Sequence, residues 1–288
     1  MSKLQIEQLH TDFGASIRGV DLSSDIAGGV LEEIHEAIDT YSFLCFPDQS
    51  MSDEHLLAFT RLLGEPEPEH VTLGQTGKTV YFGTVGNVGD GGVQKGNAHP
   101  NTHYQTGNQL WHADSSFREQ PCSLTITHAH EVPGEGGATQ FVSSRAAFER
   151  LPDDLRGRVE PLKVIHDYVF SRSQVAPVDP NHAASLPPVA HKLIKENPRN
   201  GRKNYYVGSH VRSVVGWPGI ESRELIDDLM ARTTRSEDIY DHQWQAGDTV
   251  ILDNRCLLHR GTPYDADRWR RRMRQTRVAG SEFGQLHS

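Results

Sequence analysis

His112 and Asp114 stand two apart in NQLWHADSSF, residues 108–117. On a strand, residues i and i+2 leave the same face, so an imidazole and a carboxylate would project side by side. Such a pair is either a satisfied polar couple on an exposed strand or two-thirds of a metal site. DNRCLLHRG, residues 253–261, supplies a third candidate ligand, His259, in a second strand-like segment. Two histidines and a carboxylate on one face of a metal leave the opposite positions open. That facial arrangement marks non-haem Fe(II) oxygenases, but zinc also accepts two histidines and a carboxylate, so the triad alone leaves the chemistry open. His128 and His130 form a separate HxH without a partner set at a convincing spacing. His166 and His210 read as cavity walls or satisfied sheet residues.

These segments must be brought together by the rest of the chain. Its 288 residues, 36% hydrophobic and 23% charged, suit one globular domain. The net charge of -9 argues against a nucleic-acid partner, despite the basic run RWRRRMRQTR at 268–277. No apolar run approaches a membrane span, and MSKLQIEQLHTDFGA lacks the apolar core of a signal peptide. Cys45, Cys122 and Cys256 are scattered and form no CxxC, so neither a disulfide framework nor a thiolate site is expected, and a cytoplasmic location is.

Helical spacing or punctuation marks 30–40, 52–64 (Ser52 as N-cap, Gly64 as stop), 144–151 and 221–232. Short strands separated by turn residues are expected at LQIEQL, GASIRGVDL, 42–46, 123–132, 137–143, 164–170, 203–211, 248–254 and 273–280. The pattern predicts a mainly β fold, α+β in content: a double-stranded β-helix, or jelly roll, with helices packed outside. One domain, 1–288, is expected. It would have an N-terminal cover over 1–107, ending in a Gly-, Asn- and His-rich loop at 85–107 that reads as a lid, and a core over 108–288.

The C-terminal arginines narrow the chemistry. Arg270 lies eleven positions past His259, and Arg274 four further. Residues four apart share a strand face, and a guanidinium fork holds a carboxylate bidentately. A hydrolytic zinc site has no such need. An Fe(II) enzyme using 2-oxoglutarate does, because the distal carboxylate must be anchored while the keto-acid end chelates the metal.

HADSSF, GGATQF, and DNRCLLHRG followed by spaced arginines resemble the taurine/2,4-dichlorophenoxyacetate family of Fe(II)- and 2-oxoglutarate-dependent dioxygenases. The likeness runs from GASIRGVDLS to TRVAG. It is closest to the phenoxyalkanoate branch, whose pattern includes NQLWH-x-DSSF and DNRC-x-LHRG-x-x-YD. The resemblance implies that His112, Asp114 and His259 hold Fe(II), that Thr139 and Arg270 bind 2-oxoglutarate, that Arg274 takes the acidic group of the substrate, and that Asn108 lines the pocket. It also implies O2 as co-substrate and a homo-oligomer. Leu252 stands where relatives often carry Trp, which makes the wall roomier. Arg272 interrupts a place where relatives are apolar, and a regular strand would point it the same way as Arg270 and Arg274.

The implied reaction couples decarboxylation of 2-oxoglutarate to hydroxylation of a small anionic substrate. The carboxylate at Asp114 favours hydroxylation over halogenation. If the attacked carbon bears an ether oxygen, as in an aryloxyalkanoate, the hemiacetal collapses to a phenol and a 2-oxo acid. A taurine-like sulfonate or natural-product acid is the alternative within the class. Outside it stand a metal-dependent hydrolase or isomerase on the same triad, and a non-catalytic binding protein.

Overall fold

In the computed structural model, residues 4–69, 80–89 and 91–280 are described. Asp90 of the expected lid, and the segments 1–3 and 281–288 of the expected domain, lie outside them.

The strands are β1 Gln5–Gln8, β2 Ala15–Arg18, β3 Phe43–Phe46, β4 Gly83–Gly86, β5 Cys122–Glu131, β6 Thr139–Ser143, β7 Lys163–His166, β8 Val189–Lys192, β9 Ile194–Glu196, β10 Lys203–Tyr205, β11 Val211–Val214, β12 Tyr240–His242, β13 Thr249–Asp253, β14 Leu257–Gly261 and β15 Arg272–Ala279. A seven-stranded sheet runs β1-β2-β3-β13-β5-β15-β4, and a three-stranded sheet, β12-β6-β14, contributes the opposite wall of the site.

Strand alternation sorts side chains into layers. Val250 and Leu252 of β13 join Phe43, Phe141, Trp244, Leu257 and Met273 in one apolar cluster. Their neighbour Ile251 faces the other way and joins Leu124, Ile126 and Val278. That outer face is covered by α1 Gly28–Tyr41 and α2 Asp53–Leu63 through Ile34, Ile38, Leu56, Phe59 and Leu63. α2 begins where the sequence predicts: the Ser52 side chain accepts from the His55 N–H. A third cluster joins α4 Ser144–Glu149 and α8 Gly219–Thr233 to the sheet β11-β7-β8, with α5 Asp153–Val159 and α7 Pro180–Ser185 between them in the chain.

Four expectations change. Strands β1 to β4 belong to the seven-stranded sheet, with β3 against β13 and β4 against β15, so residue 107 is not a boundary between cover and core. The 85–107 stretch contains a helix, α3 Pro100–Gln105, with Pro at its start and the His99 ring accepting from the Asn101 N–H. VIHDYVF is a strand only to His166: Asp167 then caps α6 Tyr168–Arg172 by accepting from the Phe170 N–H. KNYYVGSHV divides into β10 and β11 around Gly208, whose φ of 144° suits glycine.

Candidate active site

The ligand segment is not the regular strand its spacing predicts. Its one ladder contact is a bridge to β14, made by His112 and His259 through reciprocal N–H to carbonyl bonds of 3.0 and 2.9 Å. The chain then turns through Ser115, in the left-handed region at φ 53°. Gly208 passes behind; a Cβ there would lie 3.4 Å from the Trp111 carbonyl and 3.5 Å from His112 Cα. The bridge brings together histidines far apart in sequence, and their rings lie 4.2 Å apart.

His112, Asp114 and His259 offer ligand atoms that all lie within 4.8 Å of one another. Asp114 Oδ1 is 3.6 Å from His112 Nε2 and 3.8 Å from His259 Nε2. Their protonation suits a cation. His112 Nδ1 donates to the Leu110 carbonyl at 2.7 Å, which leaves Nε2 with its lone pair. Burial, then the nearby His259, lowers the His112 pKa, and burial also lowers that of His259. Burial alone would raise Asp114, but His259, His112, Arg277 and the Thr125 hydrogen bond outweigh it and keep the carboxylate ionised. Two neutral imidazoles and one carboxylate, with no thiolate, form a donor set that fits Fe(II).

The triad lines a cavity between the two sheets. Thr139, Phe141 and Gly261 form one wall; Thr127, Val250, Leu252, Met273 and Gln275 form the other, and Asn108, Trp244 and Arg271 complete it. Thr139 and Asn108 therefore reach the cavity as expected. The Thr139 hydroxyl accepts from Trp244 Nε1 at 2.9 Å, and Asn108 Oδ1 accepts from Arg172 at 2.9 Å. Leu252 does stand on the wall.

Arg270 and Arg274 do not reach it. Arg270 is 42% exposed at its side chain and pairs with Glu131 at 2.5 Å. Arg274 points through the outer face to α2, donating to Asp53 at 3.0 Å and to Thr84 at 2.8 Å. The facing residues are Arg271 and Gln275, one position further along. A one-residue slip in a strand reverses every side chain. Met273 was the available signal: an apolar residue amid arginines marks the buried face, and 271 and 275 share its parity.

Arg271 is buried, with Nε lacking a hydrogen-bond partner and with no ion pair among the described residues. Burial pushes its pKa down to about 10. Its side chain lines the cavity that the triad also lines.

Of the other histidines, His210 alone among those singled out in the sequence touches the triad. His128 and His130 lie on β5, His128 Nδ1 against Thr249 Oγ1 at 2.9 Å, with His130 T-stacked on it. His166 is buried against Tyr206. His210 meets the edge of His112 and bonds Ser116, 3.0 Å away, so it braces the His112 ring.

Two histidines and a carboxylate that share a cavity with an unpaired arginine fit the needs of a keto-acid-dependent non-haem oxygenase. The chain belongs to the family described as "Taurine catabolism dioxygenase TauD, TfdA family", whose model matches residues 5–277. It is 33% identical over 273 residues to the alpha-ketoglutarate-dependent 2,4-dichlorophenoxyacetate dioxygenase of Cupriavidus pinatubonensis, covering 93% of this chain and 95% of that one. It is 32% identical to the (S)-phenoxypropionate/alpha-ketoglutarate-dioxygenase of Sphingobium herbicidovorans, covering 96% and 94%. The crystal structure of AAD-2 in complex with Mn(II) and N-oxalylglycine superposes with a TM-score of 0.88 at 32% identity, covering 96% of this chain and 99% of that one. This protein is a 2-oxoglutarate-dependent dioxygenase that works with Fe(II) and O2. Like those relatives it has a sheet-dominated fold flanked by helices, and none of its described helices is long and apolar enough to cross a membrane.

Proposed function

We propose that this enzyme hydroxylates the ether-bearing carbon of a small aryloxyalkanoate. His112, Asp114 and His259 hold Fe(II), and Arg271, with Thr139, takes the distal carboxylate of 2-oxoglutarate. The observation that carries this reading is the placement of an unpaired, buried Arg271 and the three ligands on one cavity. Bound Fe(II) supplies, with O2 and 2-oxoglutarate, the oxidation that inserts hydroxyl into a C–H bond. The chain's part is to hold both substrates and exclude water. Val85, Val250, Leu252 and Met273 offer an apolar wall to an aryl ring, and Asn108, fixed by Arg172, adds a polar group to the lining. For an aryloxyacetate, O2 and 2-oxoglutarate would be consumed, yielding succinate, CO2, a phenol and glyoxylate. The names of the relatives support the acid substrate.

One observation favours testing a second substrate type. Among the described residues lining the cavity, Arg271 is the single cation, so an uncharged aryl alkyl ether is the competing reading. Succinate release measured with phenoxyacetate, 2-phenoxypropionate and their neutral amides separates the two. Faster turnover of the acids supports the proposal; turnover confined to the amides overturns it. We further read the facing sheets as a jelly roll and the protein as a cytoplasmic homo-oligomer; mass by light scattering tests the last.

A further inference from the structure

Strand parity puts Gln275 where a second inward arginine was expected, and its contacts give it a different task. Its Nε2 donates to Asp114 Oδ2 at 3.0 Å. A carboxylate only accepts, so the amide must present its NH2. Thr125 Oγ1 lies 2.8 Å from the same oxygen. The Thr125 proton is committed there, because Asn254 Nδ2 already donates to that hydroxyl at 2.8 Å. Asn254 is itself fixed: its Oδ1 accepts the backbone N–H of Asp114 at 2.9 Å. Asp114 Oδ2 is thus engaged by two donors, while Oδ1 faces both imidazoles.

We propose that Gln275 is a positioning residue for the metal centre: with Thr125 it ties Asp114 Oδ2 and leaves Oδ1 as the single carboxylate ligand. This rests on the reading of the triad as the Fe(II) site. Gln275 sits on β15 and Thr125 on β5, which are adjacent strands, so the sheet ladder itself sets the angle of the carboxylate. An untied carboxylate could rotate, present either oxygen or chelate through both, and lose the preorganisation that partners behind a metal ligand provide.

The test uses Mn(II) as probe, with free Mn(II) counted by its EPR signal during titration of the full apoprotein. Gln275→Met keeps the length and removes the donor. It is expected to weaken Mn(II) binding by roughly 10- to 100-fold and to leave the apoprotein melting temperature near wild type. Arg270→Ala serves as the control and keeps wild-type affinity. Gln275→Met binding Mn(II) within about threefold of wild type would overturn the proposal, since the stated loss is tenfold or more. If Gln275→Met does not fold, Gln275→Ser, polar but too short to reach Asp114, takes its place under the same criteria. A wild type that binds no Mn(II) would overturn the triad reading itself, and this proposal with it.

Discussion

The two faces of one short strand treat the same side chain in opposite ways. On the outer side of the 270–278 segment, Arg270 pairs with Glu131, Arg274 with Asp53 on α2, and Thr276 bonds Thr60 of α2 at 2.7 Å. These contacts hold a helix and a loop to the sheet. On the inner side Arg277 is buried between Glu67 at 3.0 Å and Glu69 at 2.6 Å, whereas Arg271, equally buried, has no carboxylate among the described residues. A buried charge is tolerated when paired and costly when not. The unpaired cation is the one we propose for a ligand's charge, and the paired ones hold the architecture.

The strongest way to break this contrast is Arg277→Met. It removes the cation that lies between two buried carboxylates, although Glu67 keeps Arg118 at 3.3 Å, and removal of one partner from such a pair costs about 3–5 kcal/mol. Chemical denaturation should show that loss; a change below about 1 kcal/mol would mean that Glu67 and Glu69 are not held by Arg277. Arg271→Ala should act in the opposite sense. The KM for 2-oxoglutarate should rise roughly 100-fold, as expected when a buried charge-pair partner is removed, while stability holds or increases, because the folded protein no longer buries an unpaired cation. A destabilised Arg271→Ala with an unchanged KM would erase the distinction.

Lys195 sharpens the point from outside the site. It sits 3.6 Å from the centre of the Tyr206 ring, and burial pushes its pKa down from 10.5 to about 7. Between those values the unfolded chain holds a proton that the folded one has released. Stability contributed by this group therefore rises with pH across pH 7 to 10, and the cost of burying the ammonium is greatest below 7. The slope approaches on the order of 1 kcal/mol per pH unit. Lys195→Met should flatten the stability–pH curve in that window; an unchanged slope would remove Lys195 as its source.

Much of this was legible in the residues. Residue types at His112, Asp114 and His259, with GGATQF and DNRC, pointed to the chemistry, because ligand identity is written directly in side chains. Helices α2 and α8 followed from capping and periodicity. What failed was local geometry decided by distant contacts. NQLWHADSSF makes only one bridge because the chain turns at Ser115, whose hydroxyl reaches Glu67 at 2.5 Å, a partner 48 positions earlier. VIHDYVF reads as one apolar strand, yet Asp167 caps a helix within it. The arginine assignment failed differently. In RRRMR only Arg270 and Arg274 stand four apart, so the spacing selected the outward-facing pair, whereas buried Met273 marks the opposite parity.

That register yields the smallest expected effect and the most direct check of the two faces. Arg270→Ala removes an exposed pair with Glu131, and side chains in water gain little from such contacts. The KM for 2-oxoglutarate should stay within about twofold of wild type, in keeping with a weak surface contact, and the denaturation midpoint should not move. The pair Arg270→Ala and Arg271→Ala is then a parity test. In a period of two, adjacent residues cannot both face the cavity. If the substitution at 270 impairs 2-oxoglutarate binding and that at 271 does not, β15 is read one residue out of place. A slip that ran past the ladder irregularity at Arg272 and Met273 would take Gln275 off Asp114 as well.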